Sequence, residues 1–97
     1  MVRIWFDTVL ESQRHGRAQI WLVRVPEEES DLLADLPIPR GGFGSVKVNA
    51  TICDSTWRTS VFPDRSQYLL LVARKLALRE GLAVGDSLRV ELEIIGT

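Results

Sequence analysis

The sequence has few of the residues that build covalent or metal-dependent sites. Its 97 residues include one cysteine, Cys53, and one histidine, His15. A single cysteine excludes an intrachain disulfide framework and a metal site made of several cysteines. The chain also has no apolar run of membrane-spanning length and no signal-peptide pattern at its start, so we expect a cytoplasmic protein without a membrane partner.

An excess of charge of one sign is also lacking. Twelve Lys and Arg residues stand against thirteen Asp and Glu residues, which gives a formal net charge of −1. This balance does not favour nucleic acid or an anionic membrane as the partner. The length and the hydrophobic fraction of 45% predict a single domain, residues 1–97, with one modest core.

The strongest pattern in the chain covers residues 68–95. It predicts a strand over 68–72, a short helix over 73–80, a glycine-containing turn over 81–86 and a strand over 87–95. In the last of these, leucine, valine and isoleucine alternate with arginine and glutamate. This alternation predicts one face in the core and the other in water.

The first half of the chain has weaker patterns. Residues 2–11 and 18–25 are rich in β-forming side chains and predict strands, with a turn over residues 12–17 between them. Pro26 and the glutamates that follow it predict the start of a short helix. The side chains expected on the buried face of that helix are Leu32, Leu33 and Leu36.

Alternation returns in the middle of the chain. It predicts strands over residues 46–52 and 56–62, with Asp54 and Ser55 as the connection between them. Residues 18–48 and 68–92 then share one order of elements: strand, short helix, glycine turn and alternating strand. Neither half has enough apolar surface to fold alone, so we expect the two halves to share one core. The predicted fold is mainly β: a small barrel of about six strands with two short helices, built from two pseudo-repeats.

Three segments carry a family resemblance: residues 42–52 (GFGSVKVNATI), 57–64 (WRTSVFPD) and 81–90 (GLAVGDSLRV). Through them the chain resembles, over nearly its whole length, the bacterial domain-of-unknown-function family 1905. The resemblance implies a double-split β-barrel, distantly like the barrels of the AbrB, MazE and MraZ regulators, with both barrel halves in one chain. A monomer is therefore expected, with a homodimer as the alternative.

The most irregular segment, residues 40–44, contains the first candidate site. Backbone N–H groups of a glycine-rich turn can hold an anion, and here a basic residue stands beside the glycines. The candidate anion or small-ligand residues are Arg40, Gly41, Gly42, Gly44 and Ser45. The segment lacks the Gly-Lys-Ser/Thr ending of a P-loop, and the alternative is a connection between strands that needs positive φ.

Basic residues in the second half of the chain form the second candidate site. If they share one face with a tryptophan as a stacking surface, single- or double-stranded nucleic acid is a candidate partner. The candidates are Trp57, Arg58, Arg74, Lys75 and Arg79. The alternative is a solvated helix face with ordinary strand exteriors, and the near-neutral net charge favours it.

No catalytic residue, metal site or cofactor is predicted. His15 has no cluster of metal ligands near it in the sequence, and Cys53 would need a base that the sequence does not place beside it. The first hypothesis is therefore a non-catalytic binding or interaction module, with a protein as one candidate partner. An AbrB-like DNA-binding regulator and an anion- or small-ligand-binding barrel are the alternatives.

Overall fold

The computed structural model describes residues 2–96. These residues form seven strands and two α-helices, with a short 3-10 turn at Gly42–Gly44. The strands are Arg3–Val9 (β1), Glu11–His15 (β2), Ala18–Arg24 (β3), Val46–Ile52 (β4), Ser55–Asp64 (β5), Gln67–Leu71 (β6) and Ser87–Ile94 (β7). The helices are Glu27–Asp35 (α1) and Arg74–Arg79 (α2).

One antiparallel sheet contains these strands in the order β1-β7-β4-β5-β6-β3-β2. β1 and β2 follow each other in the chain through Leu10, yet they lie at opposite ends of this order. The sheet must therefore curl until its two ends approach. Across the gap, the Thr8 hydroxyl donates to the carbonyl oxygen of Arg24 at 2.8 Å. The result is a curled half-barrel around one core.

The core lies on the inner side of the curled sheet. Along β4 and β7 every second residue is buried, because successive side chains of a strand point to opposite faces. The same alternation buries Phe6 in β1 and leaves its neighbour Trp5 60% exposed. The strand predicted over residues 46–52 is confirmed, and the strand predicted over 87–95 is present and ends one residue earlier, at Ile94. The predicted buried faces of both strands are confirmed.

Helix α1 has two buried residues that hold it to the half-barrel, Ser30 and Leu33. The buried Ser30 hydroxyl donates to the carbonyl oxygen of Val25 at 2.9 Å and accepts from the N–H of Tyr68 at 3.0 Å. Leu33 is fully buried in the core. The prediction that Leu32 shares this buried face is wrong, because consecutive residues lie about 100° apart around a helix and Leu32 is 54% exposed.

Helix α2 ends in a Schellman motif. The N–H of Gly81 donates to Leu78 at 3.1 Å, and the N–H of Leu82 donates to Ala77 at 2.8 Å. Gly81 has a φ of +73°, which glycine adopts without a steric penalty. This ending holds the helix so that Leu76 and Ala77 are buried against the core.

The predicted mainly β fold with two helices is confirmed, but the predicted number of about six strands is one too few, since the described residues form seven. The predicted turn over residues 12–17 is the source of the error: Glu11–His15 form β2, and the turn is limited to Gly16 and Arg17. β2 lies at the edge of the sheet and carries polar side chains on both faces. Such a strand has no hydrophobic alternation from which it could be predicted.

The β4–β5 hairpin turns at Cys53 and Asp54, so the prediction of Asp54 and Ser55 is wrong by one residue. Ser55 is already the first residue of β5 and lies opposite Ile52. Cys53 has a φ of +53°, a left-handed conformation that is unfavourable for a residue with a Cβ atom. The turn lacks the glycine or asparagine that normally signals such a position.

Candidate functional site

Two cations of the central strands lie together on the outer face of the sheet. Lys47 in β4 lies opposite Ser60 in β5, and Arg58 lies opposite Asn49. Lys47 and Arg58 are therefore diagonal neighbours on adjacent strands, with their Cα atoms roughly 7–8 Å apart. Both side chains are exposed, and neither makes an ion pair or a side-chain hydrogen bond within residues 2–96.

The loop that follows α1 turns this surface into a groove. Arg40 and Gly41 from the loop, and Gly96 beyond β7, line a groove of about 300 Å³ together with Lys47 and Arg58. We call it the basic groove. Among the described residues that line it there is no acidic side chain. Within residues 2–96, neither Lys47 nor Arg58 forms an ion pair with a carboxylate.

Arg40 has a structural contact of its own. Its Nη2 atom donates to the carbonyl oxygens of Leu33 at 2.9 Å, Ala34 at 3.0 Å and Leu36 at 3.0 Å. α1 has no basic residue in its last turn, so Arg40 satisfies these carbonyls from outside the helix. The negative end of the helix dipole balances part of its charge. Lys47 and Arg58 therefore carry the unbalanced charge of the basic groove.

The glycine loop is closed by its own hydrogen bonds. The N–H of Gly44 donates to Gly41 at 3.2 Å, the N–H of Ser45 to Gly42 at 3.1 Å, and the N–H of Gly41 back to Ser45 at 2.9 Å. Phe43 at the tip is 94% exposed. These three N–H groups thus have carbonyl partners inside the loop. Arg40 and Gly41 reach the basic groove, whereas Gly42, Gly44 and Ser45 do not line it; anion binding by the loop stays a prediction.

A second groove lies between β3, β5 and the start of α2. The guanidinium carbon of Arg74 lies 5.1 Å from the ring centroid of Trp21, within the range of a cation–π contact. Trp57, Ile20 and Leu71 line the same groove. The groove has a volume of about 400 Å³. We call it the tryptophan groove.

The residues predicted to form a nucleic-acid surface do not share one face. Trp57 and Arg58 are consecutive in β5, so they point to opposite sides of the sheet and reach different grooves. Arg79 donates to the Ser55 hydroxyl oxygen at 3.0 Å and connects α2 to β5. Lys75 is exposed on α2 and lines neither groove. Nucleic-acid binding itself stays a prediction.

Glu93 in β7 lies on the outer face of the sheet, separated from Arg58 of the basic groove by Asn49. Its carboxylate binds residues other than Lys47 and Arg58. It accepts hydrogen bonds from Asn49 Nδ2 at 2.9 Å and from Arg3 Nη2 at 3.0 Å. The hydrogen bond from Asn49 and, after it, the contacts with Arg3 lower the pKa of Glu93, while partial desolvation opposes them. Glu93 is thus ionised at neutral pH and is bound to Asn49 and Arg3.

A match to a protein family covers the tryptophan groove and all of the basic groove except its lining residues after β7. Residues 6–92 match the family described as "Domain of unknown function (DUF1905)". The chain belongs to this family. The resemblance read from residues 42–52, 57–64 and 81–90 is therefore confirmed. Comparison with the curated proteins gives no match.

Two residues of the DUF1905 domain were missed as site candidates: Lys47 and Trp21. For Lys47 a signal exists in the sequence. The predicted hairpin of residues 46–52 and 56–62 places the polar face of one strand beside that of the other, so Lys47 and Arg58 become neighbours. Trp21 has no comparable signal. Its contact with Arg74 depends on where α2 packs against β3, which local pattern does not report.

His15 and Cys53 line neither groove. His15 is exposed at the end of β2, with its Nε2 atom 3.3 Å from Gln13 Oε1, and Cys53 is exposed in the β4–β5 turn. Over residues 2–96, His, Cys, Asp and Glu side chains form no group of three or more that could hold a metal ion. In the same range, neither helix has the length and apolar character needed to cross a membrane.

Proposed function

We propose that this DUF1905 domain is a non-catalytic binding module whose ligand presents an anionic group to the basic groove. One observation carries the proposal: Lys47 and Arg58 lie as diagonal neighbours without a carboxylate partner in the described chain. Two like charges held close together repel each other, and a bound anion relieves that repulsion. The strands that carry them lie inside the sheet order, so the two side chains start from a rigid backbone.

Phosphate is the anionic group that fits these two residues best. The guanidinium of Arg58 can donate two parallel hydrogen bonds to phosphate oxygens, and Lys47 adds a compact positive charge. Ser60 lies directly opposite Lys47 and offers a hydroxyl donor on the same face. Arg40 adds charge at the rim while its Nη2 atom holds α1.

Thermal unfolding with pyrophosphate as the probe tests this function. At about ten times its Kd, pyrophosphate stabilises the folded state by about 1.4 kcal/mol, which raises the Tm by several degrees. The double variant Lys47→Gln, Arg58→Gln should lose this rise. The matched control is Lys75→Gln, Arg65→Gln, which removes the same charge from exposed positions outside the groove.

The comparison between variants excludes a general effect of the salt, because phosphate also stabilises proteins by exclusion from their surface. The proposal predicts a rise in the wild type and the control that is absent from the groove variant. An equal rise in all three proteins, or no rise at about 10 mM pyrophosphate, would overturn it.

A second candidate function is binding of single-stranded nucleic acid. The observation that favours it is the position of Phe62, whose side chain is partly exposed. Phe62 lines a further groove, adjacent to the basic groove, together with Lys47, Arg58 and Ser60. Basic residues next to an aromatic ring are the usual means of holding phosphates and stacking a base. Fluorescence anisotropy with a labelled oligonucleotide tests it: two phosphate contacts predict a slope of log K against log salt of about −1.4. A flat titration at low salt would remove this candidate.

We also propose that the curled sheet is a double-split barrel made of two pseudo-repeats, residues 18–48 and 68–92. What supports this is the pairing of corresponding strands: β3 pairs antiparallel with β6, and β4 pairs antiparallel with β7. Corresponding elements become neighbours in this way when a two-fold axis relates two halves. Superposition of the two segments tests the proposal, and a failure of their strands to overlay would refute it.

A further inference from the structure

The tryptophan groove has the composition of a small-molecule site. Trp21, Trp57, Ile20 and Leu71 give it mostly apolar walls. Its volume of about 400 Å³ lies within the range of roughly 300–1,000 Å³ found for small-ligand pockets. Leu71 is 44% exposed, so apolar surface here remains open to solvent. A planar apolar molecule would cover this surface and gain free energy from its burial.

Arg74 is the charged residue among the described residues that line this groove. Its guanidinium makes no ion pair or hydrogen bond within residues 2–96, and its contact there is with the Trp21 ring. A guanidinium that stacks on an aromatic face keeps its N–H donors for other partners. The stacking also restricts the side chain, so less entropy is lost when an anion binds.

We propose that the tryptophan groove binds a small aromatic carboxylate, separately from the anion in the basic groove. The aromatic ring packs against Trp57 and Leu71, and the carboxylate accepts hydrogen bonds from Arg74. Gln19, which also lines the groove, offers an amide as a further polar contact. The positive charge of Arg74 selects a carboxylate, and the indoles of Trp21 and Trp57 select an aromatic ring.

The chemistry of the groove favours a carboxylate over a phosphate ester. A monoanion is matched by the one guanidinium of Arg74, whereas a dianion would leave charge uncompensated beside apolar walls. The basic groove, with Lys47 and Arg58, is the place where a dianion is better matched. The two grooves lie on opposite sides of β5, so each can be tested without the other.

The test is an NMR titration that follows the indole N–H signals of the three tryptophans. The probes are 4-phenylbutanoate and its neutral amide, 4-phenylbutanamide, which share size and apolar surface. We expect the signals of Trp21 and Trp57 to shift and that of Trp5 to stay. The carboxylate should bind about three- to tenfold more tightly than the amide, as one charge-assisted contact near the surface provides.

Arg74→Gln should bring the two probes to within about twofold of each other. Lys75→Gln is the matched control, because Lys75 is the adjacent cation and lines neither groove; it should leave the ratio unchanged. Equal binding of the two probes to the wild type would overturn the proposal. So would shifts confined to Trp5, or no shift with about 10 mM probe.

Discussion

Ser30 in α1 accepts a hydrogen bond from the backbone N–H of Tyr68 in β6 at 3.0 Å, 38 residues away in the sequence. The same hydroxyl donates to the carbonyl oxygen of Val25, where β3 has just ended. Both hydrogen bonds are buried, so bulk water does not compete with the Ser30 hydroxyl for its partners. One side chain thus joins α1 to β6 and to the residue that follows β3.

We predict that Ser30→Ala lowers the free energy of unfolding by about 1–3 kcal/mol, because the N–H of Tyr68 loses its acceptor in a buried position. Urea unfolding followed by circular dichroism measures the loss. Ser66→Ala is the control, since Ser66 is exposed and donates to Glu27 at the surface; its effect should stay within about 0.5 kcal/mol. Equal losses in the two variants would contradict this account.

Two adjacent leucines of α1 should differ in their contribution to stability. Leu33 is fully buried and Leu32 is 54% exposed. Leu33→Ala should cost about 2–5 kcal/mol, because it removes buried methyl groups and leaves a cavity. Leu32→Ala should cost about 0.5 kcal/mol or less. Urea unfolding of the two variants measures the difference in their free energies of unfolding. A similar loss for both would mean that α1 is rotated about its own axis relative to the orientation described above.

The β4–β5 turn offers a stabilising substitution. Cys53 has a φ of +53°, and Asp54 is not among the residues with positive φ. Cys53→Gly should raise the free energy of unfolding by about 0.5 kcal/mol. Glycine removes the steric cost of the left-handed conformation, and this gain is larger than the entropic cost of a more flexible unfolded chain. Asp54→Gly should lower it instead. A shift of the urea midpoint in the same direction for both variants would argue against this turn geometry.

Glu93 should make stability depend on pH in the acidic range. Asn49 and Arg3 lower its pKa in the folded state, so its contacts stabilise the protein above the ordinary pKa of 4.5. This contribution is lost as the pH falls through the lower, folded-state pKa. The wild type should therefore lose Tm more steeply than Glu93→Gln between about pH 5 and 3. Asn49→Ala removes the hydrogen bond that lowers the Glu93 pKa most, so it should also flatten the dependence of Tm on pH. Parallel curves of Tm against pH for the three proteins would exclude a role of Glu93 in acid stability.

Several elements of the fold were predictable because they express a local pattern. The alternation of residues 46–52 and 87–95 gave the two strands and their buried faces, since period-two burial is written directly in the sequence. Gly81 marked the end of α2 for a similar reason. β2 was missed because an edge strand with polar side chains carries no such pattern.

The candidate sites were predictable in part. Arg40 was predicted to bind an anion together with the glycine loop, and Trp57, Arg58 and Arg74 were predicted to share one nucleic-acid surface. In the structure, Arg40 and Arg58 line the basic groove, whereas Trp57 and Arg74 line the tryptophan groove. Their division follows from the pleat of β5, which sends Trp57 and Arg58 in opposite directions. The role of Arg40 as a cap for α1 was not readable, because it depends on a loop that folds back onto the helix end.

The pairing of β1 with β7 has a consequence for synthesis on the ribosome. Arg3 pairs with Glu93, which follows it by 90 residues. At usual rates of translation the nascent β1 waits roughly 5–20 s for this partner. During that interval Trp5 and Phe6 lie on an unpaired strand that neighbouring nascent chains can reach, so crowding on a polysome favours their misassembly.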